Sequence, residues 1–102
     1  MADVQELRSL IARVRKERGF TNDPLQIYTL LNEEICEIGG ELKKTWSPNY
    51  DAFDPYCLAD ELADSIVLLF ALASEFDVDV ESAIRAKFVE SDAQRPWSSA
   101  NE

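Results

Sequence analysis

Histidine is absent from this chain of 102 residues, and only two cysteines and three glycines are present. Without histidine there is no Ser-His or Cys-His nucleophilic pair, no histidine general base and no zinc site with histidine ligands. The Glu-x-x-His motifs by which ferritin-like bundles bind iron are missing too. Cys36 and Cys57 are widely spaced and indicate free thiols in a reducing compartment, although the sequence leaves open a bridge between them.

Long apolar runs and an excess of basic residues are also missing. The longest apolar run, residues 66–73, is too short to cross a membrane, and a charged amphipathic segment follows Met1 where a signal peptide would begin. The formal net charge is −10, whereas binding to nucleic-acid phosphates needs a basic surface. We therefore expect a cytoplasmic protein that binds neither nucleic acid nor membrane.

The apolar residues follow a helical spacing in four segments. With 46% hydrophobic and 29% charged residues, the composition is that of a globular protein. The pattern predicts an all-α four-helix bundle in a single domain, residues 1–97, followed by a flexible tail, residues 98–102. The predicted helices cover residues 3–18, 24–45, 57–76 and 80–93. In the first helix, the predicted core face consists of Val4, Leu7, Leu10, Ile11 and Val14, with the arginines mostly off it.

The third helix predicts that the bundle is completed by a second subunit, and the second helix contains two glycines. Residues 66–73 are apolar on all sides, and a helix of that kind needs more cover than three neighbouring helices supply. Gly39 and Gly40 lie inside the second helix, which predicts a close helix approach, a local bend or an early helix end. We expect a homodimer or a homotetramer.

Acidic residues are grouped on two consecutive helices. Glu33, Glu34 and Glu37 lie on the second helix, where spacings of three and four place Glu37 one turn from both neighbours. Glu61 and Asp64, again three apart, lie on the third helix. If the two helices pack antiparallel, these carboxylates meet, and a hard divalent cation such as Mg²⁺ or Mn²⁺ would relieve their repulsion. The alternative is that they are ordinary solvated helix faces.

The acidic residues resemble the signature of a known family. Glu33-Glu34-Ile35-Cys36-Glu37, followed after residues 38–60 by Glu61-Leu62-Ala63-Asp64, is similar to the Glu-Glu-x-x-Glu and Glu-x-x-Asp motifs of MazG-like all-α nucleoside triphosphate pyrophosphohydrolases. Residues 17–20 and 76–83 resemble the end of that family's first helix and its Asp-capped fourth helix. The resemblance covers most of residues 4–95.

The resemblance implies a Mg²⁺-dependent enzyme that cleaves a nucleoside triphosphate to the monophosphate and pyrophosphate. Carried over by position, Glu34, Glu37, Glu61 and Asp64 would bind the metal, with Mn²⁺ as a substitute. Glu33, the extra acid of the motif, and Glu34 would serve catalysis, Glu33 by binding a further ion or by activating water. Water activated by the metal would attack the α-phosphorus in line with the departing pyrophosphate.

Several basic and aromatic residues are candidates for binding the substrate. Lys43, Lys44, Lys87 and Arg95 could balance the phosphate charge, and Lys87 lies where family members often carry a lysine. Phe20 and Trp46 are approximate equivalents of the family's base-stacking aromatics. Purely structural roles stay open, because a cationic helix end accounts for Lys43 and Lys44, and the aromatics of residues 46–56 could pack that loop onto the bundle.

The chain departs from the family pattern after the fourth helix begins. Ser91 stands where many relatives have asparagine, and the chain then reads Gln94-Arg95-Pro96-Trp97. This puts the phosphate contacts and the substrate in question. Phosphoribosyl-ATP is therefore an alternative substrate, and a non-catalytic acidic helical module that binds a partner protein through residues 66–73 is an alternative of another class.

Overall fold

The computed structural model describes residues 3–98, and all regular elements within that range are helical. Helix α1 spans Val4–Glu17, α2 spans Pro24–Lys43, α3 spans Pro55–Glu75 and α4 spans Val80–Ile84. A π-helical segment, Arg85–Ser91, and a 3₁₀ turn, Asp92–Gln94, continue α4. The prediction of an all-α chain with four helices is confirmed. Of the predicted tail, residues 99–102 lie outside the described residues.

Each α-helix begins at an aspartate that caps its first turn. The side chains of Asp3, Asp23, Asp54 and Asp79 each accept a hydrogen bond from a backbone N–H two or three residues further on. Proline follows two of these caps, at the first helical position of α2 and of α3, where its missing N–H costs nothing. The Asp54 cap makes α3 begin at Pro55, two residues before the predicted start.

The fourth helix was expected to continue as an α-helix to residue 93, but its backbone changes from α-helical to π-helical turns after Ile84. The wider π-helical turns of Arg85–Ser91 bring residues five apart to face each other, and Lys87 accordingly forms an ion pair with Asp92. The indole N–H of Trp97 donates a hydrogen bond to the carbonyl of Asp92 and holds Trp97 against the 3₁₀ turn.

The core is formed where α2 packs on α3. Its buried apolar residues are Ile27, Leu31, Leu68 and Ala71. Ile27 and Leu31 of α2 pack with Leu68 and Ala71 of α3, whereas Glu34, later in α2, meets Glu61 and Asp64, earlier in α3, so the two helices are antiparallel. Helix α1 packs on α3.

The predicted core face of α1 is confirmed in part. Its less exposed residues are Val4, Arg8, Ile11, Val14 and Arg15, whereas Leu7 and Leu10, which were predicted to belong to the face, are 42% and 45% exposed. The Arg8 Nε donates to the Ser74 hydroxyl of α3 at 3.4 Å, and Arg15 is buried. The prediction that the arginines lie mostly off the core face is therefore wrong for these two, because their long side chains reach polar partners on neighbouring elements.

A single chain leaves much apolar surface uncovered. Its accessible surface is 8025 Å², against about 5,800 Å² for a compact monomer of this mass. Its radius of gyration is 16.8 Å, against about 13 Å for a compact domain of this length. Within the chain Ile66 and Leu69 are 47% and 49% exposed, so residues 66–73 are not buried on every side here.

Six of the exposed apolar residues lie on one side of the α2–α3 pair, which we call the apolar face. It consists of Tyr28, Ile35 and Leu42 of α2 and Leu62, Ile66 and Leu69 of α3, all at least 42% exposed. Each is one residue, or about 100°, beyond the α2–α3 contact stripe of its own helix. Because the helices are antiparallel, that rotation carries both rows to the same side of the pair.

The glycines of α2 do not interrupt it. The helix continues through Gly39 and Gly40, which excludes an early end, and a Cβ built on either would meet no described atom within 4 Å. The predicted close approach therefore does not occur within the chain. Cys36 is exposed and Cys57 is half-buried, and both are free thiols, as predicted. Within residues 3–98, no helix combines the length and apolar character needed to span a bilayer.

Candidate metal centre

Antiparallel packing of α2 and α3 brings three carboxylates together. One oxygen each of Glu34, Glu61 and Asp64 lies within 4.8 Å of the other two. Glu34 follows the core residue Leu31 by one helical turn, and Asp64 precedes Leu68 by one turn, so both extend the α2–α3 seam beyond its apolar part. The two glutamates are half-buried and Asp64 is exposed. The sequence prediction that the two acidic pairs meet is confirmed for these three residues.

Two oxygens of this cluster are buried without a partner. The Oε2 atoms of Glu34 and Glu61 are closed off from solvent, and neither receives a hydrogen bond within residues 3–98. A buried carboxylate oxygen that lacks a donor is costly, so such oxygens are usually paired or bind a cation. Burial, together with the neighbouring Glu37 and Asp64 carboxylates, raises the pKa of Glu34 above its usual value.

Glu37 is exposed and is not in the group of three, although it lies close enough to act on Glu61. The Glu37 carboxylate, as an acceptor for the proton of Glu61, is the main cause that raises the pKa of Glu61 to about 7, with burial and the charge of Glu34 adding to the shift. At neutral pH the metal-free cluster is therefore partly protonated. Glu33, the remaining acid of the motif, is exposed and is not in the group of three.

The cluster suits a small hard cation. Carboxylate oxygens are the ligands that Mg²⁺ prefers, at about 2.1 Å, which places adjacent ligand oxygens about 3 Å apart and opposite ones about 4.2 Å apart. The three oxygens lie within 4.8 Å of one another, so their side chains would have to move closer together around a bound ion. Water molecules would complete six-coordination, as is usual for Mg²⁺ in proteins. The donor set therefore fits Mg²⁺ or Mn²⁺.

An open pocket of about 300 Å³ adjoins the carboxylates. It is lined by Arg15, Phe20, Thr21, Leu30, Glu34, Asp64, Val67 and Leu68. The pocket lies on the α1 side of the α2–α3 pair, opposite the apolar face, because Leu30 and Val67 are one residue before the contact stripe. Phe20, predicted to stack on a base, thus lines the same pocket as two of the predicted metal ligands.

Arg15 is the pocket residue that the sequence analysis missed. It is 8% exposed, its Nη2 donates to the Thr21 carbonyl at 2.8 Å, and its guanidinium lies 5.4 Å from the centre of the Phe20 ring. These contacts fold the α1–α2 connection back over the end of α1. Arg15 follows Ile11 by one helical turn, and that spacing was the available signal of its inward position.

The other predicted substrate-binding residues do not line this pocket. Lys43 lies 4.5 Å above the Tyr50 ring, and Lys44 forms an ion pair with Glu41 at 3.1 Å. Lys87 pairs with Asp92, as described above. Trp46 is 74% exposed. The guanidinium of Arg95 lies 4.6 Å from the centre of the Trp97 ring. Within one chain these side chains are engaged locally or exposed.

Comparison of the chain with protein families, curated proteins and solved structures finds no match. The case for a function therefore depends on the motif residues and on their geometry.

Proposed function

We propose that this protein is a Mg²⁺-dependent nucleotide pyrophosphohydrolase that cleaves a (d)NTP to the (d)NMP and pyrophosphate. The observation that supports it best is the meeting of Glu34, Glu61 and Asp64, with two buried oxygens lacking partners, beside an open pocket that Glu34 and Asp64 line. The cluster residues are those that the MazG-like resemblance assigns to the metal. A solvated helix face does not bury carboxylate oxygens against one another.

Each part of the site has a role in this reaction. Mg²⁺, when bound, would supply positive charge for the phosphates and lower the pKa of a bound water. Glu34, Glu61 and Asp64 would hold the cation, and Glu37, one helical turn from Glu34, is the further ligand that the resemblance assigns. A bound cation would favour the ionised form of Glu61, whose pKa is raised in its absence. Glu33, exposed beside the cluster, remains the candidate to orient or activate water.

The pocket accounts for the nucleotide part of the substrate. Phe20 offers an aromatic edge or face, and Leu30 and Val67 provide apolar walls that suit a flat base. The carboxylates stand at one side of the same pocket, so a base against Phe20 would leave its phosphates towards the metal. A chain of net charge −10 repels a free triphosphate, which makes the reaction dependent on the cation.

The apolar face supports the proposal of a homodimer or homotetramer. The excess accessible surface of the chain, about 2,000 Å² above a compact monomer, is of the size that permanent subunit interfaces bury. A second copy would place two α2–α3 pairs face to face and complete a four-helix core. The pockets would stay open in such a dimer, because they lie on the opposite side of each pair.

The same face also favours the alternative function, a non-catalytic module that binds another protein. The two functions differ in what the carboxylates do, since a binding module has no use for a divalent cation. Phosphoribosyl-ATP differs from the proposed substrate only in its nucleotide, so it belongs in the same substrate panel.

The deciding experiment measures pyrophosphate release from NTPs, dNTPs and phosphoribosyl-ATP, with and without Mg²⁺. We expect pyrophosphate release to depend on Mg²⁺. Glu61→Gln and Asp64→Asn should each lower the rate of release by about 10- to 100-fold or more. Glu90→Gln, a change of an exposed acid outside the site, is the matched control and should retain full activity. Absence of release from every substrate, together with no effect of Mg²⁺ on melting, would reject the enzyme and favour the binding module.

A further inference from the structure

We propose that Arg15 is the substrate's phosphate anchor, a cation that holds a phosphate group of the metal-bound nucleotide inside the pocket. This rests on the proposed function. The observation behind it is a positive charge that is more than nine-tenths buried, lies on the wall of the carboxylate pocket, and has no counter-charge of its own.

The contacts of Arg15 leave most of its hydrogen-bonding capacity unused. Its guanidinium has five N–H donors, and within residues 3–98 it makes one hydrogen bond, from Nη2 to the Thr21 carbonyl. No described carboxylate lies within ion-pair distance of it. The cations that do form ion pairs are all more exposed than Arg15: Arg13, Lys44, Arg85 and Lys87. None of its nitrogens is both closed off from solvent and without a partner among the described residues, so its free N–H groups can reach a ligand. Neither the Thr21 carbonyl nor the Phe20 ring carries a negative charge, and an anion would therefore complete this site.

A second cavity that Arg15 lines offers no such partner. Its volume is about 60 Å³, and it is bordered by Asn22, Ser74 and Glu75 among others. None of these three side chains forms a hydrogen bond or an ion pair with Arg15. That cavity is too small for a phosphate group with its water shell, whereas the carboxylate pocket of about 300 Å³ is open to solvent.

The charges around the pocket define what fits between them. Glu34 and Asp64 line the same pocket as Arg15, so with Mg²⁺ bound the pocket would present a metal cation as well as the guanidinium. A group held by both cations must therefore be anionic and must offer several oxygens, as a phosphate does. The planar guanidinium donates two parallel hydrogen bonds to phosphate, and its contact with the Phe20 ring restrains its orientation.

The test compares two probes, Mg²⁺ alone and Mg²⁺ with inorganic tripolyphosphate, measured by calorimetry on the wild-type chain and on Arg15→Met. Removing a positive charge beside the carboxylates should leave the affinity for Mg²⁺ unchanged or tighter. The affinity for tripolyphosphate should fall by about 10- to 100-fold, the effect expected for hydrogen bonds to a charged group. Arg15→Lys keeps the positive charge but loses the paired N–H donors of the guanidinium, so it should retain part of the affinity for tripolyphosphate that Arg15→Met loses.

Arg18→Met, the loss of an exposed arginine at the end of the same helix, is the matched control and should bind both probes as the wild type does. If Arg15→Met weakens Mg²⁺ and tripolyphosphate alike, the residue only supports the fold and the inference fails. It also fails if tripolyphosphate binds equally to both chains, or not to the wild type. Arg15-dependent tripolyphosphate binding without any binding of Mg²⁺ would instead keep the anchor and reject the metal-dependent function.

Discussion

Replacement of Ile66 is the sharpest test of the apolar face. Its side chain is 47% exposed in the single chain, and complete burial of an isoleucine stabilises a protein by about 1.5–3 kcal/mol. Covering the exposed half by a second copy would therefore contribute roughly 1 kcal/mol per subunit. In a symmetric dimer each substitution is felt twice, so Ile66→Ala should weaken association by about 2 kcal/mol, or about 30-fold in Kd.

Ile66→Asp should have a larger effect, because each interface would bury an unpaired carboxylate as well as lose apolar contact. Sedimentation velocity over a concentration series would give the Kd of the wild type and of both variants. Val78→Asp is the matched control: Val78 is 42% exposed in the turn after α3, outside the apolar face, and its replacement should leave association unchanged. A wild-type chain that stays monomeric at tens of micromolar, or an Ile66→Asp variant that still dimerises, would refute the assignment of this face.

Two further predictions concern α2 and the cluster. Gly40→Ala should raise the unfolding free energy by about 0.5–1 kcal/mol, since no described atom outside the helix backbone lies within 4 Å of the new methyl group. Gly39→Ala should raise the unfolding free energy by less in a dimer, because residue 39 lies between Ile35 and Leu42 on the apolar face. Equal melting shifts for the two variants would exclude a close approach there. Without metal, the unfolding free energy should fall as pH rises from about 4.5 to about 7, because the pKa of Glu61, raised to about 7, makes the folded chain bind more protons than the unfolded chain in that window. Denaturant titrations across this range should show the slope in the wild type and a smaller slope in Glu61→Gln, and a wild-type profile without any such slope would contradict the prediction.

Much of the fold was predictable because local signals agree with the packing. The Asp23–Pro24 pair predicted the start of α2, and the same pair at Asp54–Pro55 marks the start of α3, which the sequence analysis placed two residues too late. That signal was present and was overlooked among the prolines of the loop. The π-helical segment after Ile84 has no comparable signal, since residues 85–91 contain neither glycine nor proline.

The candidate site was predictable in its acids and less so in its cations. Spacings of three residues on two helices sufficed to predict that Glu34, Glu61 and Asp64 meet. The inward position of Arg15 depends on how α1 rotates against α3 and on how the connection after it folds back, which are long-range contacts. Lys87 is an opposite case, because its partner lies five residues away and helical spacing alone would not have paired them.

The carboxylate seam between α2 and α3 also has a consequence for the folding rate. The two helices are consecutive in the chain and are joined by residues 44–54, so their pairing involves contacts that are closer in sequence than those of α1 with α3 and is expected early in folding. The pairing that brings Ile27 towards Leu68 also brings Glu34 towards Glu61, so hydrophobic attraction and charge repulsion act on the same step. A proton or a divalent cation that neutralises the seam would therefore speed the formation of this helical hairpin as well as stabilise the finished fold.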